Sequence, residues 1–275
     1  MGQHHAGADN TERQLGYLID FFGKDKPLTD IAGDDVTKLV AWRRGHRTRG
    51  GALISPFTVN DTTEQLRGVR FDHEPQWRRH WLAEPQERVR ELSDDEAERL
   101  DDATRDDLAP FFAFARASGL RLRECLLRWD EVDWGARQIR KAGKGGKLVT
   151  VPITSVIREI LWPLRGHHPE FVFTYVAARE QGQRHPLTYT GVQTAWWRLR
   201  KRAGVAGFRF HDFRHDFGTK LLRETGNLKL VQRALNHADL KSTTRYVHVL
   251  DTEVAEAMER VALRNKPRKT LREVS

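Results

Sequence analysis

The chain has 275 residues, a formal net charge of +9, one cysteine, 31% charged and 39% apolar residues. This composition is globular and not that of a disordered or membrane-embedded chain, and no apolar run reaches the roughly 18 residues of a membrane span. The lone Cys125 excludes an internal disulfide and, with the polar start MGQHHAGADN, makes a cytoplasmic protein the expectation. The basic excess favours a polyanionic partner, because each cation that meets a phosphate releases a condensed counterion; solubility alone also accounts for it.

Residues 1–10 read as a polar tail. TERQLGYLIDFF then places Leu15, Leu18, Ile19 and Phe22 at helical spacing, and DDVTKLVAWRR continues in the same mode. RRGHRTRGG gathers Arg43, Arg44, Arg47 and Arg49 into a basic cluster suited to a DNA backbone. Ser55 and Pro56 are the N-cap and first residue of a further helix, and Trp77 and Trp81 share a helix face. The charged, proline-containing AEPQERVREL suits a linker, set at residues 85–92. It separates a helical domain over 11–84 from a second domain over 93–264, and a basic tail over 265–275 closes the chain.

In the second domain Ser93 and Glu96 form a capping box, and DDLAPFFAFARASG ends a helix at Gly119. A new helix starts near Arg121. In SGLRLRECLLRW, Leu122, Leu126 and Trp129 point inward, with Arg121, Glu124 and Arg128 on the other face. Free backbone N–H groups near Arg121 favour an anion, although a surface Arg–Glu–Arg ladder fits equally well. RQIRKAGKGGKLVTVPIT changes mode: Val149, Val151 and Ile153 alternate and GKGG supplies a turn, giving a β-hairpin with Lys144 at its tip. That turn leads into a strand and lacks the G-x-x-x-x-G-K-[ST] pattern of a phosphate loop.

From Val192 to about Arg264 the pattern is helical again. HDFRHDF (211–217) offers a zinc reading, since His211 and His215 are i and i+4. Asp212 is a methylene shorter than the glutamate such sites use, and Arg214 beside a zinc ion is repulsive, so no metal site is expected. Phe210, Phe213, Phe217 and Leu221 form the buried face, leaving His211 and Arg214 to project together, as a solvated face or as a grip on phosphate. His215 reads as structural. In LNHADLKSTTRYVHV, His237 follows a helix end and Tyr246 lies in the next helix, capped by Ser242; its phenol is a nucleophile or a bridge between core and solvent. Val254, Met258 and Val261 recur at helical spacing in the tail.

The order of these pieces, Arg121 in SGLRLRE, Lys144 in a hairpin, HDFRH, then His237 and Tyr246 nine residues apart, resembles the tyrosine recombinases over residues 88–264. That family includes phage integrases and the recombinases that resolve chromosome dimers. TVN and QLR in the first third are similar to its core-binding domain. The resemblance implies a mainly α fold with a small antiparallel β-hairpin or sheet: a helical N-terminal core-binding domain and a catalytic domain. It implies that Arg121 and Arg214 grip phosphate, with His211 beside them and His237 nearby. Lys144 would protonate the leaving oxygen, Tyr246 would be the nucleophile and Glu124 would orient Arg121. Asn236 departs from the usual glycine before His237, and Phe213 from the usual leucine. The short polar start points to the simpler two-domain type of enzyme.

The implied activity is site-specific DNA recombination through a 3′-phosphotyrosyl intermediate, with no metal, ATP or other cofactor. The implied partners are double-stranded DNA with a specific target site, three further copies in a homotetramer on that DNA, and accessory DNA-bending or directionality proteins. The tail helix would dock on a neighbouring protomer or on its own domain. The implied setting is the nucleoid of a prokaryote or phage-infected cell. Alternatives are a type IB topoisomerase-like nicking and rejoining enzyme, a non-catalytic DNA-binding protein and, more distantly, a metal-dependent hydrolase using His211, Asp212 and His215.

Overall fold

The computed structural model describes residues 8–67, 71–85, 89–143, 146–177, 182–237, 241–244, 246–247, 258, 261 and 263–264. The chain forms two compact units, Met1–Arg88 and Val89–Ser275. No helix among the described residues is long and apolar enough to cross a membrane.

The first unit is built on α1 (Ala8–Phe22), α2 (Gly33–Arg44) and α3 (Pro56–Glu64), with a single turn, α4 (Trp77–His80). Its core is Leu18, Ile31, Val36, Leu39 and Leu66. Of the four apolar residues predicted to line α1, Leu15 and Ile19 are instead exposed. Ser55 caps α3 as predicted, its Oγ accepting from the Thr58 N–H, with Pro56 at the first position. Trp81 lies just past α4 and does not extend it.

The polar residues of α3 do much of the packing. Asn60 clasps Leu82, its amide donating to the carbonyl and its Oδ1 accepting the N–H, both at 2.9 Å. Thr62 donates to Gln14 Oε1 at 2.6 Å and accepts from Arg43 Nε at 3.1 Å. Arg43 therefore departs from its predicted place on a DNA-facing surface. It is 3% exposed, its guanidinium lying 3.4 Å from the centre of the Tyr17 ring. A cation is tolerated there because an aromatic face and a hydroxyl replace its water. Arg44, Arg47 and Arg49 are exposed.

The second unit begins earlier than residue 93. Leu92 is buried and its N–H donates to Asp216 Oδ1 at 2.9 Å, while Glu91 pairs with Arg223 at 2.9 Å. The end of the predicted linker is thus part of the fold. The Ser93–Glu96 capping box opens α5 (Asp94–Ala103). α6 (Ala109–Ser118) stops at Gly119, whose φ of 61° is left-handed. α7 (Leu122–Cys125) is one turn only. Helical periodicity consequently fails beyond it: Glu124, Cys125 and Leu127 are buried, whereas Leu122, Leu126 and Trp129 are only partly so.

A three-stranded antiparallel sheet follows, β1 (Val132–Asp133), β2 (Gln138–Ala142) and β3 (Leu148–Pro152), in the order β1-β2-β3. Ile139 pairs with Val151 and Lys141 with Val149, which sends the valines to the core as their alternation predicts. After α8 (Ser155–Leu161), a second hairpin pairs β4 (Thr174–Val176) with β5 (Arg184–Pro186). Three-residue strands carry too little alternation to be read from sequence. α9 (Tyr189–Arg202), α10 (Asp212–Thr225), α11 (Leu228–Ala234) and α12 (Lys241–Thr244) complete the described elements.

The core is dense in aromatic residues: Phe111, Phe112, Phe114, Phe173, Trp196, Phe208, Phe210 and Phe213 all belong to one cluster. α10 runs through the interior with Asp212, Phe213, Arg214, His215, Asp216, Gly218, Thr219 and Leu222 buried. A single apolar stripe does not describe such a helix. Phe217 and Leu221, predicted to lie on the buried face, are half-buried, and Leu222 takes the place expected for Leu221.

Candidate active site

Arg214 is the centre of the site. It is 1% exposed, so every atom of its guanidinium has been taken out of bulk water. Nη1 donates to the Gly119 carbonyl at 3.0 Å and Nη2 donates to the Leu235 carbonyl. The planar fork thereby ties the turn after α6 to the end of α11, two segments remote in sequence. Gly119 is required twice over: its backbone is left-handed, and a Cβ there would lie 2.5 Å from Phe217 Cδ1.

Arg121 follows two residues later as the N-cap of α7. Its Nη1 donates to Glu124 Oε1 at 2.9 Å, and its backbone N–H donates to Glu124 Oε2 at the same distance. Glu124 is buried and holds main chain and side chain of one arginine at once, leaving the guanidinium partly exposed. The hairpin passes close behind. A Cβ on Gly143 would sit 2.6 Å from Val149 Cγ2 and 3.6 Å from Glu124 Oε1. Lys144 itself lies outside the described residues. The neighbouring Lys141 donates to Glu131 at 2.9 Å and to the Leu126 carbonyl at 2.6 Å. Burial, and then the Glu124 charge, push the Cys125 thiol well above its ordinary range, which makes it a packing residue and not a nucleophile.

His211 precedes α10 and is exposed, its ring edge-on to that of His215 at 4.9 Å. The sequence expectation that His211 and Arg214 project together is therefore corrected: the histidine faces outward and the arginine is enclosed. His215, read as structural, is 2% exposed and shares a 3.3 Å hydrogen bond between Nδ1 and Tyr246 Oη.

Tyr246 lies beyond α12 and not within a helix, and Ser242 is inside α12 and not its cap. The Tyr246 N–H donates to the Thr243 carbonyl at 3.1 Å. Its ring is 1% exposed, packed with Leu222, Val231 and Leu235. His237 follows α11 through Asn236, whose φ of 51° is the left-handed geometry foreseen for that position. The His237 ring is parallel to that of Tyr246 at 6.4 Å, and its Nδ1 is 2.8 Å from Thr243 Oγ1. Asn236 also reaches β3: Oδ1 accepts from the Thr150 N–H at 3.4 Å and Nδ2 donates to the Thr150 carbonyl at 3.5 Å.

Arg214 thus ties the turn leading to Arg121 and Glu124 to the end of α11, and Tyr246 meets the rings of His215 and His237, with His211 joined through the ring of His215. Two roles escaped the sequence reading, those of His215 and the Asn236 side chain. The only signal for His215 was its place directly after Arg214. Two anchored guanidinium groups, imidazoles and a phenol form a set suited to an oxyanion that gains charge and a nucleophile that loses a proton.

Comparison with known proteins shows the family to which the chain belongs. The chain is 27% identical over 179 residues to an integrase of Salmonella phage P22, covering 62% of this chain and 46% of the relative. It is 36% identical over 139 residues to the tyrosine recombinase XerC of Xylella fastidiosa, covering 48% and 45%. In both pairings the match spans about half the length of the curated relative. Among solved structures, the Tn1549 transposon integrase in complex with transposon right end DNA shares the fold at a TM-score of 0.74 and 17% identity, covering 95% of both chains. The phage integrase family matches residues 90–253, which hold the buried Arg214, the Arg121–Glu124 pair and the seated Tyr246. The chain belongs to that family, the tyrosine recombinases.

Proposed function

We propose that this protein is a site-specific DNA recombinase in which Tyr246 attacks a backbone phosphate of duplex DNA. The products are a 3′-phosphotyrosyl link and a free 5′-hydroxyl, and attack by a second 5′-hydroxyl rejoins the strands. One phosphodiester is exchanged for another, so no bond energy need be supplied from outside. The observation that carries this reading is the anchorage of Arg214, because one side chain fixes both the turn leading to Arg121 and the turn leading to His237.

Arg121, Arg214, His211 and His237 stabilise the charge gathered on the non-bridging oxygens, each such donor being worth about 3–4 kcal/mol in comparable sites. Glu124 orients Arg121. Lys144 protonates the leaving 5′-oxygen, a role worth roughly 10²–10⁴ in rate. Arg44, Arg47 and Arg49 of the first unit contact the DNA backbone. Exposed Met258, Val261 and Leu263 support a homotetramer in which the tail docks on a neighbouring copy. DNA-bending or directionality proteins assist, and the enzyme works at the nucleoid in the cytoplasm.

The test is covalent capture. Nicked duplexes with randomised flanks are incubated with the protein in EDTA and quenched in detergent. Wild type is expected to retain DNA and Tyr246→Phe none; linkage in both would remove Tyr246 from its role, and linkage in neither would favour a DNA-binding protein without chemistry. Glu124→Gln keeps one acceptor and loses the charge opposite Arg121. It is expected to slow single-turnover capture about 10-fold, the value of one charge-assisted hydrogen bond, and to lower stability by about 1–3 kcal/mol, because the amide nitrogen now faces one of the two Arg121 donors.

A further inference from the structure

A side chain closes the outer edge of the three-stranded sheet. β3 ends the order β1-β2-β3, so one of its sides has no strand to pair with. The register tells which of its peptide groups face that side. The Gly143 N–H donates to the Lys147 carbonyl at 2.7 Å, and the Ile153 N–H donates to the Arg137 carbonyl at 2.8 Å. Between these two rungs the opposed pairs alternate between bonded and unbonded, which makes Arg140–Thr150 an unbonded pair. Pro152, which has no N–H to give, falls in the same outward set. The Thr150 N–H and carbonyl therefore point off the sheet, where an edge strand needs other partners. The Asn236 carboxamide supplies both, its Oδ1 accepting at 3.4 Å and its Nδ2 donating at 3.5 Å. It stands in for one residue of a fourth strand.

Asn236 turns the chain after α11 with its left-handed φ of 51°, and the residues on either side of it are held too. The Leu235 carbonyl accepts from Arg214, and the His237 N–H donates to the Gln232 carbonyl at 3.0 Å. We propose that Asn236 is a positioning residue for His237: its pairing with Thr150 docks this turn on the sheet edge and sets where the imidazole stands. The proposal rests on the recombinase reading, in which His237 is a donor to the phosphate oxygens. Both bonds are long, so the clasp adds little to global stability. It acts by location, since a donor displaced by about 1 Å loses much of its effect.

The experiment reads the clasp and its consequence separately. Asn236→Gly removes the carboxamide and keeps the turn, because glycine takes a positive φ without strain. Thr150→Pro removes the N–H that Oδ1 accepts and leaves residues 235–237 untouched; proline is tolerated where the N–H faces off a sheet edge. In the full chain without DNA, hydrogen exchange at the Thr150 amide is followed by NMR, and Asn236→Gly is expected to speed it about fivefold, the factor one net hydrogen bond is worth. Each variant is expected to slow single-turnover capture on nicked duplex by a similar factor, with the urea midpoint close to wild type. In a His237→Ala background neither is expected to slow capture further, because a residue that acts through His237 has nothing left to place. Thr150→Pro also guards against the objection that glycine merely loosens the turn. Unchanged exchange at Thr150 in Asn236→Gly would overturn the clasp. Equal slowing with and without His237 would reduce it to a general packing contact and overturn the positioning role. Faster exchange in Asn236→Gly, with no capture even by wild type, would leave the clasp standing and sink the recombinase reading instead.

Discussion

Arg214→Lys is expected to stop covalent capture and to destabilise the second unit together. The guanidinium reaches the Gly119 and Leu235 carbonyls from two arms of one plane. An ammonium is a compact point charge on a flexible stem and cannot meet both acceptors from the same place. One buried carbonyl is then left without its donor, at a cost of about 1–3 kcal/mol, and the charge is held in a less well satisfied position. Capture is expected to fall roughly 10²–10³-fold, as when one preorganised donor is lost elsewhere. Single-turnover capture and urea unfolding measure the two effects on the same preparation. A variant as stable as wild type, with capture intact, would show that the anchorage does not organise the site.

Gly119→Ala is the second large effect, and it acts with no change of charge. Alanine at a φ of 61° costs about 1–2 kcal/mol for the left-handed backbone. The new methyl would also lie 2.5 and 2.8 Å from Phe217 Cδ1 and Cγ and 3.1 Å from Leu235 Cδ2, overpacking worth about 1–3 kcal/mol. A loss of roughly 2–5 kcal/mol is expected in urea unfolding, read as a lower midpoint at unchanged slope. Gly226→Ala is the internal control. Gly226 also ends a helix, at a φ of 60°, but no atom lies within 4 Å of its added Cβ, so only the backbone cost applies. Comparable losses in the two variants would show that Phe217 yields easily. Capture by Gly119→Ala is expected to fall as well, because the displaced carbonyl is an acceptor of Arg214.

Features written in local chemistry were legible in the sequence. Ser55, Ser93 and Gly119 each act within a few residues of themselves, and Val149 and Val151 alternate along a strand long enough to show a period. The candidate site was legible as an order of motifs. Its interior was not, for a physical reason. Periodicity assigns each helix one buried side, whereas α10 is enclosed on several, so Arg214 was read at the surface and His215 as structural without its hydrogen bond to Tyr246. Arg43 failed likewise: a cation is buried when its donors meet an aromatic face and a hydroxyl, and Tyr17 and Thr62 come to it from other helices. Single-turn α7 and the short β4–β5 pair fall below the length at which any period can be counted.

The acceptors that hold Arg214 are main-chain carbonyls, and every amino acid supplies one. A change of side chain at position 235 leaves that acceptor chemically intact and can disturb the arginine only by bending the path of the chain. The clamp is therefore robust to drift in residue identity and vulnerable to insertions or deletions that shift the turn after α6 or the end of α11. Engineering of this protein has little freedom in how long it makes either turn, and at the second it must also keep the buried Leu235 and the left-handed Asn236.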